Sequence, residues 1–114
     1  RANLELRLSI QTHVPPLPHA VEQCLYRVTQ EATANVAHHA NARTLTVELT
    51  FDGDIVLKVG DDGMGFDPRQ AEATGHFGLT GMRERAALVG GVLDVSSEPE
   101  TGTLVQMTIK DYTK

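Results

Sequence analysis

Cysteine is nearly absent from this sequence: Cys24 is the single one among 114 residues. One thiol closes no disulfide within the chain, which excludes a disulfide-stapled secreted scaffold and suits a reducing compartment. Cys24 falls at an apolar position of a helical pattern and reads as a small buried hydrophobe. Positive charge is also short, with 10 Lys and Arg against 15 Asp and Glu and a net charge of -5. No broad basic face can form, so wrapping nucleic acid is not the main task and any phosphate bound should be held locally. No apolar run approaches the roughly 20 residues of a membrane span. Internal repeats and low-complexity tracts are missing. A start methionine and a signal-like segment are missing too, which suggests a piece of something longer.

What remains has the composition of a soluble globular protein, 40% hydrophobic and 22% charged. The length suffices for one core and not for two, so one domain over residues 1–114 is expected. Leu4, Leu6, Leu8 and Ile10 alternate with Glu5, Arg7 and Ser9, the two-residue period of a strand with one buried face. Pro15, Pro16 and Pro18 then break the chain. From His19 to Ala40 the residues Val21, Cys24, Leu25, Val28, Ala32 and Val36 recur at helical spacing and predict the main helix. Thr44 to Phe51 and Ile55 to Val59 read as strands joined by an Asp-Gly turn at Asp52-Gly53-Asp54. The polar, glycine-rich stretch DDGMGFDPRQAEATGHFG follows, too long for a turn and read as a functional loop or lid. A second helix is expected from Leu79 to Val89, ended by Gly90-Gly91. Val92 to Ser96 and Thr103 to Ile109 predict a closing hairpin.

At about 100° per residue, Val28, Glu31, Ala32, Asn35 and His39 share one side of the main helix, so polar groups interrupt its inward stripe. A carboxylate buried there needs a partner, and the Asn35 amide oxygen one turn away is a second hard ligand, which suggests a magnesium ion. A rim-exposed helix end is the competing reading. In DDGMGF, Asp61 stands at a strand end, where a fixed carboxylate can accept from an exocyclic amine such as that of adenine. Gly63 and Gly65 beside it let the backbone bend and a flat ligand approach. A polar turn is the alternative there. Gly78 and Gly81 flank the start of the second helix, whose free N–H groups and dipole suit a triphosphate. The stretch is neither a Walker loop nor a dinucleotide fingerprint. Arg83 and Arg85 read as surface ion-pair partners, and Phe77 as core or as part of a closing lid. The Thr103 hydroxyl, after Gly102, is placed to support Asp61 or a water at the base. The five histidines have no metal-ligand company, so no zinc site is expected, and no Ser-His-Asp or Cys-His arrangement is present.

Taken in order, EATANVAHHA, DDGMGFD, GHFGLTGMRERA and GTLVQMTI resemble the asparagine box and glycine boxes of the catalytic domain of bacterial two-component histidine kinases. The resemblance covers almost the whole chain. YRVTQ and GLTGMRERA look most like the nitrate-sensor type with a short lid, within a superfamily that includes gyrase-type topoisomerases and MutL-type repair proteins. The resemblance implies an α/β fold, a two-layer sandwich of the Bergerat type with a mixed sheet of about five strands and helices on one face. It implies ATP and Mg2+ as cofactors. Asn35 resembles the magnesium-coordinating asparagine, and Glu31 the acidic residue that helps hold metal or polarise water. Asp61 resembles the adenine-amine acceptor. Gly63 and Gly65 correspond to the first glycine box, Gly78 and Gly81 to the second, and Thr103 to the threonine near the base, with His39, Phe77 and Leu79 also placed at the nucleotide. His38 departs from a frequent Lys or Arg, and Asp62 from a frequent Asn.

The function this resemblance implies is Mg-ATP binding and delivery of the γ-phosphoryl group to a histidine on a separate helical dimerisation domain of the same protein. A response regulator would act downstream. The acceptor segment does not occur in this chain, so the isolated domain is expected to be a monomer and the full-length protein a homodimer. A cytoplasmic location is expected, with membrane anchoring of the full-length protein left open. An anti-sigma-type serine protein kinase and a non-enzymatic nucleotide-binding module are the rival readings.

Overall fold

A computed structural model of the chain describes residues 4–11, 13 and 15–110. The period-two segments form the strands β1 (Glu5–Ile10), β2 (Thr44–Asp52), β3 (Asp54–Asp61), β4 (Val92–Glu98) and β5 (Gly102–Ile109). They make one mixed sheet in the order β1-β2-β3-β5-β4. The pair β1 and β2 is parallel and the other neighbours are antiparallel. A parallel pair needs a long crossover, and α1 (His19–Asn35) supplies it. Pro18 starts this helix, its carbonyl accepting from the N–H groups of Val21 and Glu22. The helical path continues to Ala40, as its periodicity predicts, but Val36–Ala40 is a wider π turn ended by Asn41 in the left-handed region. Such widened turns recur at functional sites, and this one begins immediately after Asn35.

The core lies on one face of the sheet. Val47, Val59 and Val105 share a register row, as do Leu57, Met107 and Leu93, and all six are buried. Against them pack Val21, Cys24, Leu25, Val28 and Ala32 of α1, with Leu79, Met82 and Ala86 of α3 (Leu79–Leu88). Cys24 is buried where α1, α3 and β5 meet, its sulfur 3.4 Å from the Arg85 carbonyl and 3.8 Å from the Met107 sulfur. Burial pushes its thiol pKa up, as a structural thiol requires.

Two expectations change. The alternation in β1 does form a strand, but its apolar row is not buried: Leu6, Leu8 and Ile10 are 59%, 60% and 55% exposed. They pair with Leu45, Val47 and Leu49, so they continue the core face outward on an edge strand that no described helix covers. The long polar stretch also contains a helix, α2 (Pro68–Thr74), followed by a 3-10 turn at His76–Gly78. Asp67 begins α2, accepting the Arg69 N–H on its carboxylate at 3.0 Å, with proline in the first helical position where it fits best. Among the described residues no helix is long and apolar enough to cross a membrane.

Candidate functional site

The end of β3 carries two adjacent carboxylates that the strand's alternation turns to opposite sides. Asp61 is half-buried and accepts the Gly63 N–H at 2.7 Å. Burial pushes its carboxyl pKa up, the Asp62 charge adds to this, and the N–H groups of Gly63 and Thr103 pull it partly back. Asp62 is exposed and accepts the N–H groups of Thr44 and Arg43, each at 2.9 Å. Those bonds hold its pKa below the usual range. One carboxylate therefore pins the start of β2, and its neighbour, with Oδ1 taken by the Gly63 N–H, lines a cavity.

Thr103 stands opposite Asp61 in the β3–β5 register. Its hydroxyl lies 2.7 Å from that of Ser97, which also accepts the Phe66 N–H at 2.9 Å. Gly65 crosses the end of β4 with φ +65, and a Cβ there would overlap the Glu98 carbonyl oxygen. The glycine is thus required twice, by its left-handed backbone and by the close approach. Behind it Phe66 stacks on Phe77, with ring centroids 4.3 Å apart and planes at 17°. Phe77 is itself in the left-handed region at φ 67, and its carbonyl accepts the Asn35 side-chain amide at 2.7 Å.

These elements enclose a cavity of about 250 Å³. Its walls include Asn35, Asp61, Gly65, Phe77, Leu79 and Thr103, with Met64, Phe66 and aliphatic side chains from α1, β3 and β5. The volume falls below the range of about 300–1,000 Å³ that takes a whole drug-sized ligand. It suits a flat ring whose substituent leaves through the mouth. The chemistry fits one end of such a ring: Asp61 accepts an amine, Thr103 offers a hydroxyl, and the rest is apolar.

Glu31, Gly78 and Gly81 line a neighbouring cleft of about 170 Å³ together with Arg27, Gln30, Met82 and Arg85. Glu31 is exposed, so of the two readings of this helix end the rim-exposed one holds for its carboxylate. Its covering residue is Gly78, where a Cβ would stand 2.7 Å from the Glu31 Oε2, so no side chain shields it from water. Gly81 lies within the first turn of α3 rather than in a loop. Gly63 is buried behind Asp61. The His39 side chain lies outside the described residues. Arg83, expected in a surface ion pair, donates to the Leu93 carbonyl at 2.5 Å and ties α3 to β4. Arg85 has no ion pair among the described residues, contrary to the same expectation.

Sequence reasoning missed Ser97, Phe66 and Arg27 at this site. Ser97 had no signal of its own, because only the β4–β5 register sets it beside Thr103. Phe66 was visible as the one aromatic in DDGMGF, and Arg27 as the basic residue one turn before Glu31.

Comparison with known proteins gives a consistent result. Residues 20–113 match the family described as histidine kinase-, DNA gyrase B-, and HSP90-like ATPase. The sensor protein VraS of Staphylococcus aureus (strain COL) is 36% identical over 92 residues, which are 80% of this chain and 26% of the relative. VraS of Staphylococcus haemolyticus gives the same figures. The chain thus spans about a quarter of the length of the curated relatives it matches. Among solved structures, the histidine kinase domain of the Erythrobacter litoralis EL346 blue-light activated histidine kinase superposes with a TM-score of 0.76 at 21% identity. The match covers 95% of this chain and 52% of that one. Acinetobacter baumannii histidine kinase AdeS gives 0.71 at 17% identity, over 96% and 55% of the two chains. These structures share the fold.

Proposed function

The chain belongs to the histidine kinase-, DNA gyrase B-, and HSP90-like ATPase family, and from that premise we propose that it binds Mg-ATP and presents the γ-phosphoryl group to a histidine on a separate helical domain of the same protein. The observation that carries this reading is the Asp61 carboxylate. It is half-buried at the wall of a base-sized apolar cavity, opposite Thr103, and the backbone already uses Asp62 in its place as a structural anchor. In this reading Asp61 accepts the adenine amine, and Gly65 and Leu79 flank the ring.

Asn35 is the metal ligand of the proposal. Its amide nitrogen is committed to the Phe77 carbonyl, which leaves the hard amide oxygen for a magnesium ion. Among the described residues no three His, Cys, Asp or Glu side chains are grouped to hold a metal alone. A site that relies on phosphate oxygens and water for its remaining ligands is how magnesium usually binds. The bound ion would neutralise charge on the phosphates. Glu31, exposed at the cleft beyond Asn35, is placed to polarise the incoming group. The stretch from Arg69 to Gly78 acts as the lid. The nitrate-sensor type, a response regulator downstream, and a cytoplasmic domain within a membrane-anchored or soluble full-length homodimer belong to the same proposal, supported by the kinship with sensor proteins.

Labelled Mg-ATP, supplied to the chain alone and then with helical acceptor domains, tests the transfer. Acid-labile phosphate on the acceptor, with almost none on the chain alone, is the expected outcome. Acid-stable phosphoserine on the partner, or strong self-labelling of the chain, would overturn it.

A further inference from the structure

Ser97 is half-buried near the end of β4, and its hydroxyl joins three segments around the proposed base site. It accepts the Phe66 N–H at 2.9 Å, lies 3.2 Å from the Gly102 carbonyl oxygen and lies 2.7 Å from the Thr103 hydroxyl. The register sets Asp61, Thr103 and Ser97 side by side across β3, β5 and β4. Asp61 and Thr103 line the cavity, whereas Ser97 stands one strand behind it and reaches it through Thr103.

A hydroxyl has one proton to give and two lone pairs to accept with. All three Ser97 contacts are hydrogen bonds at once in a single arrangement: Ser97 donates to the Gly102 carbonyl and accepts from both the Phe66 N–H and the Thr103 hydroxyl. The Thr103 proton is then spent on Ser97, and no other described group bonds the Thr103 side-chain oxygen. Thr103 therefore offers the cavity lone pairs and no donor. A carboxylate is likewise an acceptor alone, so Asp61 and Thr103 together present an acceptor-only pair at that end of the cavity.

We propose that Ser97, without touching the ligand, sets which base the site takes: by holding the Thr103 proton it selects a purine with an amine at position 6 over one with a carbonyl there. This rests on the nucleotide-binding reading above and adds a positioning residue to it. An exocyclic amine has two N–H groups to give, one for Asp61 and one for Thr103. A 6-oxo base brings a third acceptor against the other two, and a site discriminates well when the wrong ligand leaves its polar groups unpaired. The arrangement resists reversal. Turning the Ser97 proton onto Thr103 would break its bond to the Gly102 carbonyl, and turning the whole side chain would strand the Phe66 N–H.

The test is calorimetry of Mg-ATP and Mg-ITP, whose bases carry an amine and a carbonyl at position 6, with the wild-type chain, Ser97→Ala, Thr103→Val and the double variant. The wild type should prefer ATP by about tenfold or more. Ser97→Ala, which frees the Thr103 proton to donate, should narrow that ratio by about threefold or more. Thr103→Val should narrow it too, and adding Ser97→Ala to Thr103→Val should leave the ratio where Thr103→Val put it, because Ser97 acts through the hydroxyl already removed. Ser97→Ala also loosens Phe66, which weakens both nucleotides alike, so the ratio and not the affinity is decisive. The proposal is overturned by a wild type that binds both equally, by an unchanged ratio in Ser97→Ala or in Thr103→Val, or by a double variant that narrows the ratio beyond Thr103→Val alone. A wild-type chain that binds neither nucleotide would instead overturn the nucleotide reading itself, and this inference with it.

Discussion

The side-chain amide of Asn35 donates to the backbone carbonyl of Phe77 at 2.7 Å, so one residue of the main helix lines the cavity beside Asp61 and holds the end of the proposed lid. Phe77 in turn stacks on Phe66, whose N–H is fixed by Ser97. The proposed base cavity, metal ligand and lid are therefore mechanically joined. Nucleotide affinity and lid order should move together.

Asn35→Asp tests this coupling because it keeps an oxygen ligand but removes the amide donor and sets a carboxylate against the Phe77 carbonyl. Backbone hydrogen exchange around residues 76–79 should accelerate in the free protein. Mg-ATP affinity should fall by about tenfold or more, the scale of one hydrogen bond lost and a repulsion gained. Unchanged exchange would separate Asn35 from the lid.

Asp61→Asn should abolish tight adenine binding without harming the fold. The pKa of Asp61 is raised, chiefly by burial, so its ionised form opposes folding. The sign follows: its contribution is most favourable below the ordinary carboxylate range and is lost as pH rises through the raised pKa. The amide variant removes that loss, so its melting temperature at neutral pH should equal or exceed that of the wild type while ATP affinity drops by about 1.5–3 kcal/mol. Asp62 has the opposite sign. Its pKa is depressed by the Thr44 and Arg43 N–H groups, so its stabilisation is present at neutral pH and lost as pH falls through that depressed value. Carbon-detected NMR titration should find Asp61 titrating above Asp62.

Gly65→Ala and Gly75→Ala differ in what a methyl group meets. Both glycines have left-handed backbones, but a Cβ on Gly65 would overlap the Glu98 carbonyl, whereas one on Gly75 meets nothing within 4 Å. Urea unfolding should show a loss of about 1–2 kcal/mol for Gly75→Ala, the left-handed penalty alone. The Gly65 variant should lose clearly more and should also bind ATP poorly, because the β4 end must move.

Leu8→Ala and Leu57→Ala compare two leucines of the same helix-facing side of the sheet. Leu8 is 60% exposed on the edge strand and Leu57 is 3% exposed in the centre. Leu57→Ala should destabilise by about 2–5 kcal/mol through the cavity it leaves. Leu8→Ala should change stability by less than about 1 kcal/mol. A large loss at Leu8 would mean that the edge strand is covered in solution.

The amino-acid sequence by itself determined the strands, the two main helices and the order of the boxes around Asn35, Asp61, Gly78 and Thr103. Periods of two and 3.6 and the demand for glycine at bends are local properties, legible wherever they occur. Tertiary structure decided the rest. The alternation of Leu6, Leu8 and Ile10 is as regular as any in the chain, yet whether that row is buried depends on a covering element and not on the pattern. α2 was hidden in a glycine-rich stretch because its seven residues owe their helix to an Asp-Pro start and to Ala71 meeting the core. Glu31 shares the inward side of a helical wheel and yet is exposed, facing a glycine far along the chain. The Asn35–Phe77 bond and the Ser97–Thr103 pair join residues 42 and 6 positions apart. A helical wheel or strand pattern compares neighbours in the chain, whereas these contacts exist only because the sheet brings distant segments to one end of the fold.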